Sequence, residues 1–147
     1  MPKLLSRRWV LPSGLLIAGM LLGSGLQFVR DAHAAASAKV FEIRTYTTNP
    51  GKLDALNARF RDHVLKLFEK HNIKSVGYWL PQDAPLAGTT LIYIVSHASR
   101  EAAKKNWDDF RADPEVREVM NASEVQGKIV AKVDSVFAEA TSFSPLQ

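Results

Sequence analysis

Along residues 40–143 the spacing of apolar side chains switches between the two-residue period of a strand and the period of about 3.6 of a helix. The order of those switches limits the fold more than any other feature. "VFEIRTY", residues 40–46, alternates: Phe41, Ile43 and Thr45 fall on one face, and Val40, Glu42, Arg44 and Tyr46 on the other. "TNPG", residues 48–51, reads as a turn and helix start, with Asn49 as cap and Pro50 at the first helical position. From Lys52 to Lys70, residues Leu53, Leu56, Phe60, Val64, Leu67 and Phe68 make one helical stripe, which "HN" at 71–72 breaks. A second strand is expected over Ser75–Leu80, a loop over residues 81–88, and a third strand over Thr89–Ser96. The third strand is apolar at nearly every position, which predicts that both its faces are covered. Ser99 caps a second helix carrying Ala103, Trp107 and Phe110. Asp113 and Pro114 restart a short helix anchored by Val116, Val119 and Met120. Residues 123–133 read as loosely helical, and Ser135–Phe143 as the last strand.

The order β-α-β-β-α-β predicts an α+β fold of the ferredoxin-like kind. Four antiparallel strands carry both helices on one face, and the other face is bare unless something covers it. Composition narrows the partners. The chain has no cysteine, so disulfides, thiol nucleophiles and zinc–thiolate sites are excluded. Four of its 19 basic residues (Lys3, Arg7, Arg8 and Arg30) and one of its 15 acidic residues (Asp31) lie in the first 34 positions. The remainder is therefore near neutral, and no nucleic-acid partner is expected.

Those first 34 residues read as an address. Lys3, Arg7 and Arg8 open it, Trp9–Val29 is uncharged, and "AHA" at 32–34 fits a signal peptidase site. Cleavage is expected after Ala34, with Ala36 as the alternative, and export to the periplasm or medium follows. "SRRWVL", residues 6–11, is similar to a twin-arginine signal, with Val10 where phenylalanine is usual; general secretion is the other route. A membrane is a partner only if the segment stays uncleaved, since Trp9–Val29 barely reaches the roughly 20 residues of a span. Residues 35–39 read as a short leader and 40–147 as the folded domain.

"FEIRTYTTNPGKLDAL" (41–56), "VGYW" (76–79), "NWDDFRADPEV" (106–116) and "TSFSP" (141–145) resemble the NIPSNAP family. The resemblance implies a dimeric α/β-barrel, in which two ferredoxin-like subunits pack sheet against sheet. It does not supply a defined activity. It also implies a homodimer, and hence an enclosed side for the strand at 40–46. On that reading the helices cover Phe41, Ile43 and Thr45, and Glu42, Arg44 and Tyr46 face the interior between two subunits.

Five residues are candidates for ligand binding. Arg44, Glu42 and Tyr46 form an anion or carbonyl site, or else a structural network that sets strand pairing. His63, three residues after Phe60 and four before Leu67, stands at the edge of the buried stripe, toward a helix–sheet pocket. Trp79 and Tyr78 point to opposite sides of their strand, one to the core and one to the barrel interior. Trp107 and Phe110 read as core, and His97 as surface. No histidine pair has metal-site spacing, so no metal is expected. Nor is there a phosphate loop, dinucleotide fingerprint or nucleophile elbow. Two functions remain. One is a module that binds a small apolar or aromatic ligand, or a protein. The other is a cofactor-independent oxygenase or isomerase acting on a small cyclic substrate, with Arg44, Tyr46, His63 and Trp79 orienting it. No cofactor is expected in either; haem held through His63 is a third reading, for which the resemblance supplies no ligand.

Overall fold

The computed structural model describes residues 39–146; the expected signal segment and most of the expected leader lie outside the described residues. Strand β1, Val40–Thr48, runs through the middle of the sheet. After it the chain turns at Asn49–Gly51, where Gly51 takes φ +73, a value that favours glycine. Asn49 does not cap the helix; its Nδ2 donates to the Lys128 carbonyl and ties this turn to the entry of the last strand. Helix α1 follows in three consecutive stretches, Leu53–Arg59, a π-helical turn at Phe60–Val64, and Leu65–Lys70. Strands β2 (Lys74–Trp79) and β3 (Thr90–His97), helices α2 (Arg100–Ala112) and α3 (Pro114–Ser123), and strand β4 (Val130–Glu139) complete the order.

Both later helix starts follow from capping chemistry. The Ser99 hydroxyl accepts from the Ala102 N–H, and the Asp113 carboxylate accepts from the Glu115 N–H with Pro114 at the first position. Asp113 also accepts from Lys70 Nζ and pairs with His71 Nε2 at 2.7 Å, which pins the end of α1 to the α2–α3 corner. The expected loose helix over 123–133 does not continue. The chain breaks at Gly127, φ +103, and Val130 already pairs with Thr48. The last strand therefore begins earlier than expected and ends at Glu139. Lys128–Lys132 has neither the apolar stripe of a helix nor a clear alternation, so only its pairing with β1 decides its conformation.

The four strands lie in the order β2-β3-β1-β4, each antiparallel to its neighbour, and this is the ferredoxin-like arrangement. The core sits between one face of the sheet and the helices. It contains Leu56, Phe60, Val64, Leu67 and Phe68 of α1, Leu91, Tyr93 and Val95 of β3, and Trp107 and Phe110 of α2. One side of β3 is fully buried within the subunit; on the other, Thr90 and Ser96 near its ends are buried, while Ile92 and Ile94 are half-buried.

The two faces of β1 are the reverse of the sequence expectation. Glu42 is 1 % exposed and accepts a hydrogen bond from Trp107 of α2, so Glu42, Arg44 and Tyr46 lie under the helices. Phe41, Ile43 and Thr45 are on the open face, beside Ile92, Ile94 and Val136. Alternation reveals the two sets of a strand but not which set meets the helices. Here a buried indole N–H and a serine hydroxyl satisfy the carboxylate inside the subunit, which leaves the apolar set for the open face.

Candidate functional site

The register of the central strands brings the polar residues together. Arg44 stands opposite Tyr93 on β3 and Ser135 on β4, and Tyr46 opposite Val133. The centre is the Glu42 carboxylate. Ser135 Oγ and Arg44 Nη1 donate to its Oε1 at 2.6 and 2.5 Å, and Trp107 Nε1 donates to its Oε2 at 2.6 Å. His97 Nε2 stands 3.4 Å from Oε2, a charge-to-ring contact outside hydrogen-bond geometry. The His97 Nδ1 lies 3.3 Å from Asn106 Nδ2, which holds the ring in place. Burial alone would raise the pKa of Glu42. The nearby His97 ring, the Ser135 and Trp107 donors and the charge of Arg44 outweigh burial and bring it down to about 2. The Arg44 guanidinium lies 4.4 Å from the centre of the Trp107 ring, a cation–π contact in a desolvated setting.

The cluster has donors to spare. Arg44 Nη2 reaches Tyr46 Oη only at 3.5 Å. Arg44 Nε and the Tyr93 hydroxyl are buried without a hydrogen-bond partner. Burial pushes the Tyr93 hydroxyl well up from its ordinary value, so it stays protonated and can donate.

Next to Tyr46 lies a cavity of about 280 Å³ between the sheet and the helices. Phe60, Val64, Phe68, Trp107 and Phe110 wall it, with Arg59 and Glu124 as its charged lining. Its aromatic walls meet mostly edge to face, as in Tyr46–Phe60 at 5.9 Å and Phe68–Trp107 at 5.5 Å. A second hollow, broad and of about 450 Å³, lies on another side of Trp107. It is lined by Glu42, Glu101, Phe137 and the basic side chains Arg100, Lys104 and Arg111, with Arg100 stacked 3.7 Å over the Phe137 ring.

Of the five candidates, the structure gathers Glu42, Arg44 and Tyr46 and leaves two elsewhere. Trp79 is 50 % exposed at the end of β2 on the open face, and Tyr78 takes the core side, stacked on Tyr93. His63 is exposed and lies in a groove with Glu115, Glu118 and Ser123 of α3, away from the sheet. The π-helical turn explains this. Leu65 N–H reaches back to the Phe60 carbonyl, so the turn holds an extra residue. The slipped phase carries His63 from the edge of the stripe out to solvent, while Val64, expected on the stripe, stays buried. His97, expected at the surface, is 2 % exposed because it is the last residue of β3 and closes over Glu42. Trp107, Tyr93, Ser135 and Arg59 were missing from the sequence-based site. Trp107 alone left a signal: an indole on a core stripe needs an acceptor for its N–H, and Glu42 was the carboxylate on a central strand. Among the described residues, no group of three or more histidine, aspartate or glutamate side chains is gathered as a metal ion would require, and no helix is long and apolar enough to cross a membrane.

The chain folds as an α+β subunit of the ferredoxin-like kind, with its polar cluster and cavity between sheet and helices. The NIPSNAP family model matches residues 41–145, and the chain belongs to that family. A NIPSNAP-like domain protein from Burkholderia xenovorans, described as uncharacterized, has 17% identity and a TM-score of 0.65, over 74% of this chain and 90% of that one. A NIPSNAP family protein of unknown function from Agrobacterium tumefaciens gives 19% and 0.65, over 76% and 96%. SnoaB, a cofactor-independent oxygenase from Streptomyces nogalater, shares the fold at 12% identity and a TM-score of 0.50, over 74% and 99%. No curated protein matches the chain.

Proposed function

We propose that the chain is an exported, homodimeric binding module that holds a small aromatic or apolar ligand between its helices and its sheet. The cavity carries this reading. Ligand sites are concave, mostly apolar and supplied with a few polar groups. About 280 Å³ suits one or two fused rings, the walls are largely aromatic, and Tyr46 offers a hydroxyl. Titration of the mature chain with naphthol by calorimetry tests it. Saturable binding is expected. Met120→Trp, a substitution at the partly buried wall, should fill the cavity and abolish binding while the far-ultraviolet spectrum stays native. Absence of saturable binding, or binding unaffected by that filling, would overturn the reading.

A second reading is favoured by the unpartnered donors around Arg44 and Tyr93. In it the subunit is a cofactor-independent oxygenase or isomerase acting on a small cyclic substrate. Tyr46 and Arg44 would polarise a carbonyl or phenolate oxygen, and the substrate itself would supply the electrons. Turnover of a quinol that is lost in Tyr46→Phe would support this reading over simple binding.

A further inference from the structure

Arg59 is the last residue before the π-helical turn, and it lines the cavity. It is 5 % exposed. Its only hydrogen bonds among the described residues leave from Nη1, to Ser123 Oγ and Glu124 Oε1, both at 3.2 Å. Its Nε is buried with no partner. A guanidinium has five N–H groups in a flat fork, so this desolvated cation is short of acceptors. Glu124 is a divided partner: the same Oε1 accepts from the Ile129 N–H at 3.3 Å, and its side chain is one-third exposed. The other guanidinium near the cavity, Arg44, also has an unpartnered Nε, but it is held by the buried Glu42 carboxylate and stacked on Trp107.

We infer that the cavity takes an aromatic carboxylate, with Arg59 binding the acid group while the ring lies against Phe60, Phe68 and Trp107. This rests on the binding reading above and narrows it to acids. A carboxylate matches the guanidinium fork with two parallel hydrogen bonds, which a neutral hydroxyl cannot. The widened turn supports the same site, because Phe60 and Val64, its first and last residues, both wall the cavity directly after Arg59. Glu124 then acts as a stand-in anion that the ligand displaces toward solvent.

Calorimetry of the mature chain with naphthoate and with naphthol, at neutral pH, separates the two claims. Naphthoate should bind at least about tenfold more tightly. Arg59→Gln should remove that advantage, bringing naphthoate down to the affinity of naphthol. Glu124→Gln, by removing the competing carboxylate, should tighten naphthoate binding. Equal affinity for the two probes in the wild type would overturn the acid assignment and leave the ligand cavity standing. Failure of both to bind would overturn both. The wild-type comparison needs no variant, so it decides whether or not Arg59→Gln folds.

Discussion

Glu42 keeps its charge with almost no access to water because donors reach both of its oxygens. Its pKa of about 2, against an ordinary 4.5, makes it a stabilising group at neutral pH. A depressed pKa means that the unfolded chain takes up the proton first. The contribution is therefore complete above about pH 4.5 and fades as pH falls toward 2. Glu42→Gln should cost on the order of 3 kcal/mol at neutral pH, because Arg44 is left as a poorly matched buried cation. Urea unfolding of both proteins checks this: their difference should shrink steadily below pH 4.5, and a gap that persists at pH 2 would mean that the charge is not responsible. At this scale the sequence was partly legible. "FEIRTY" showed that a carboxylate, a guanidinium and a phenol share one side of a strand. Their partners were not legible, because Trp107 and Ser135 are distant in the chain and meet Glu42 only through helix packing and strand register.

Element by element, the periodicities were readable where packing and propensity agree. Helix α1, both capped helices and the three earlier strands all appear at the expected places. Two departures have local causes. The widened turn of α1 is invisible to a spacing argument, since Phe60, Val64 and Leu67 satisfy an ordinary helix stripe equally well. Strand β4 is exposed along most of its length, so it lacks a strong alternation and begins where pairing allows. Strand β2 shows a closer constraint. The Trp79 indole folds over Gly77 so tightly that an added Cβ would come within 2.6 Å of the ring. Gly77→Ala should therefore push the half-exposed indole off the sheet without unfolding the domain. The check is a Tyr78→Phe-independent red shift of tryptophan emission together with a loss of no more than about 1–2 kcal/mol. A larger loss would mean that β2 cannot adjust.

The whole subunit leaves one side of its sheet uncovered. Phe41, Ile43, Ile92, Ile94, Val136 and Trp79 make that side apolar, with Val136 62 % and Ile43 36 % exposed. A monomer rarely leaves such a patch of more than a few hundred Å² to water. The pairing of two sheets that the family resemblance implied thus has a physical motive, though through the apolar set of β1 instead of the polar one. Light scattering at micromolar concentration should give twice the subunit mass, and Val136→Lys should lower it to a single subunit with native secondary structure. A single-chain mass for the unaltered protein would remove the homodimer.

One side chain also separates two environments. Trp107 borders both the aromatic hollow and the broad one lined by Arg100, Lys104 and Arg111, while its ring nitrogen holds Glu42 and its face carries Arg44. The indole is in effect a bulkhead: whittling it to alanine would join the two hollows and strip the Glu42 carboxylate of its indole donor.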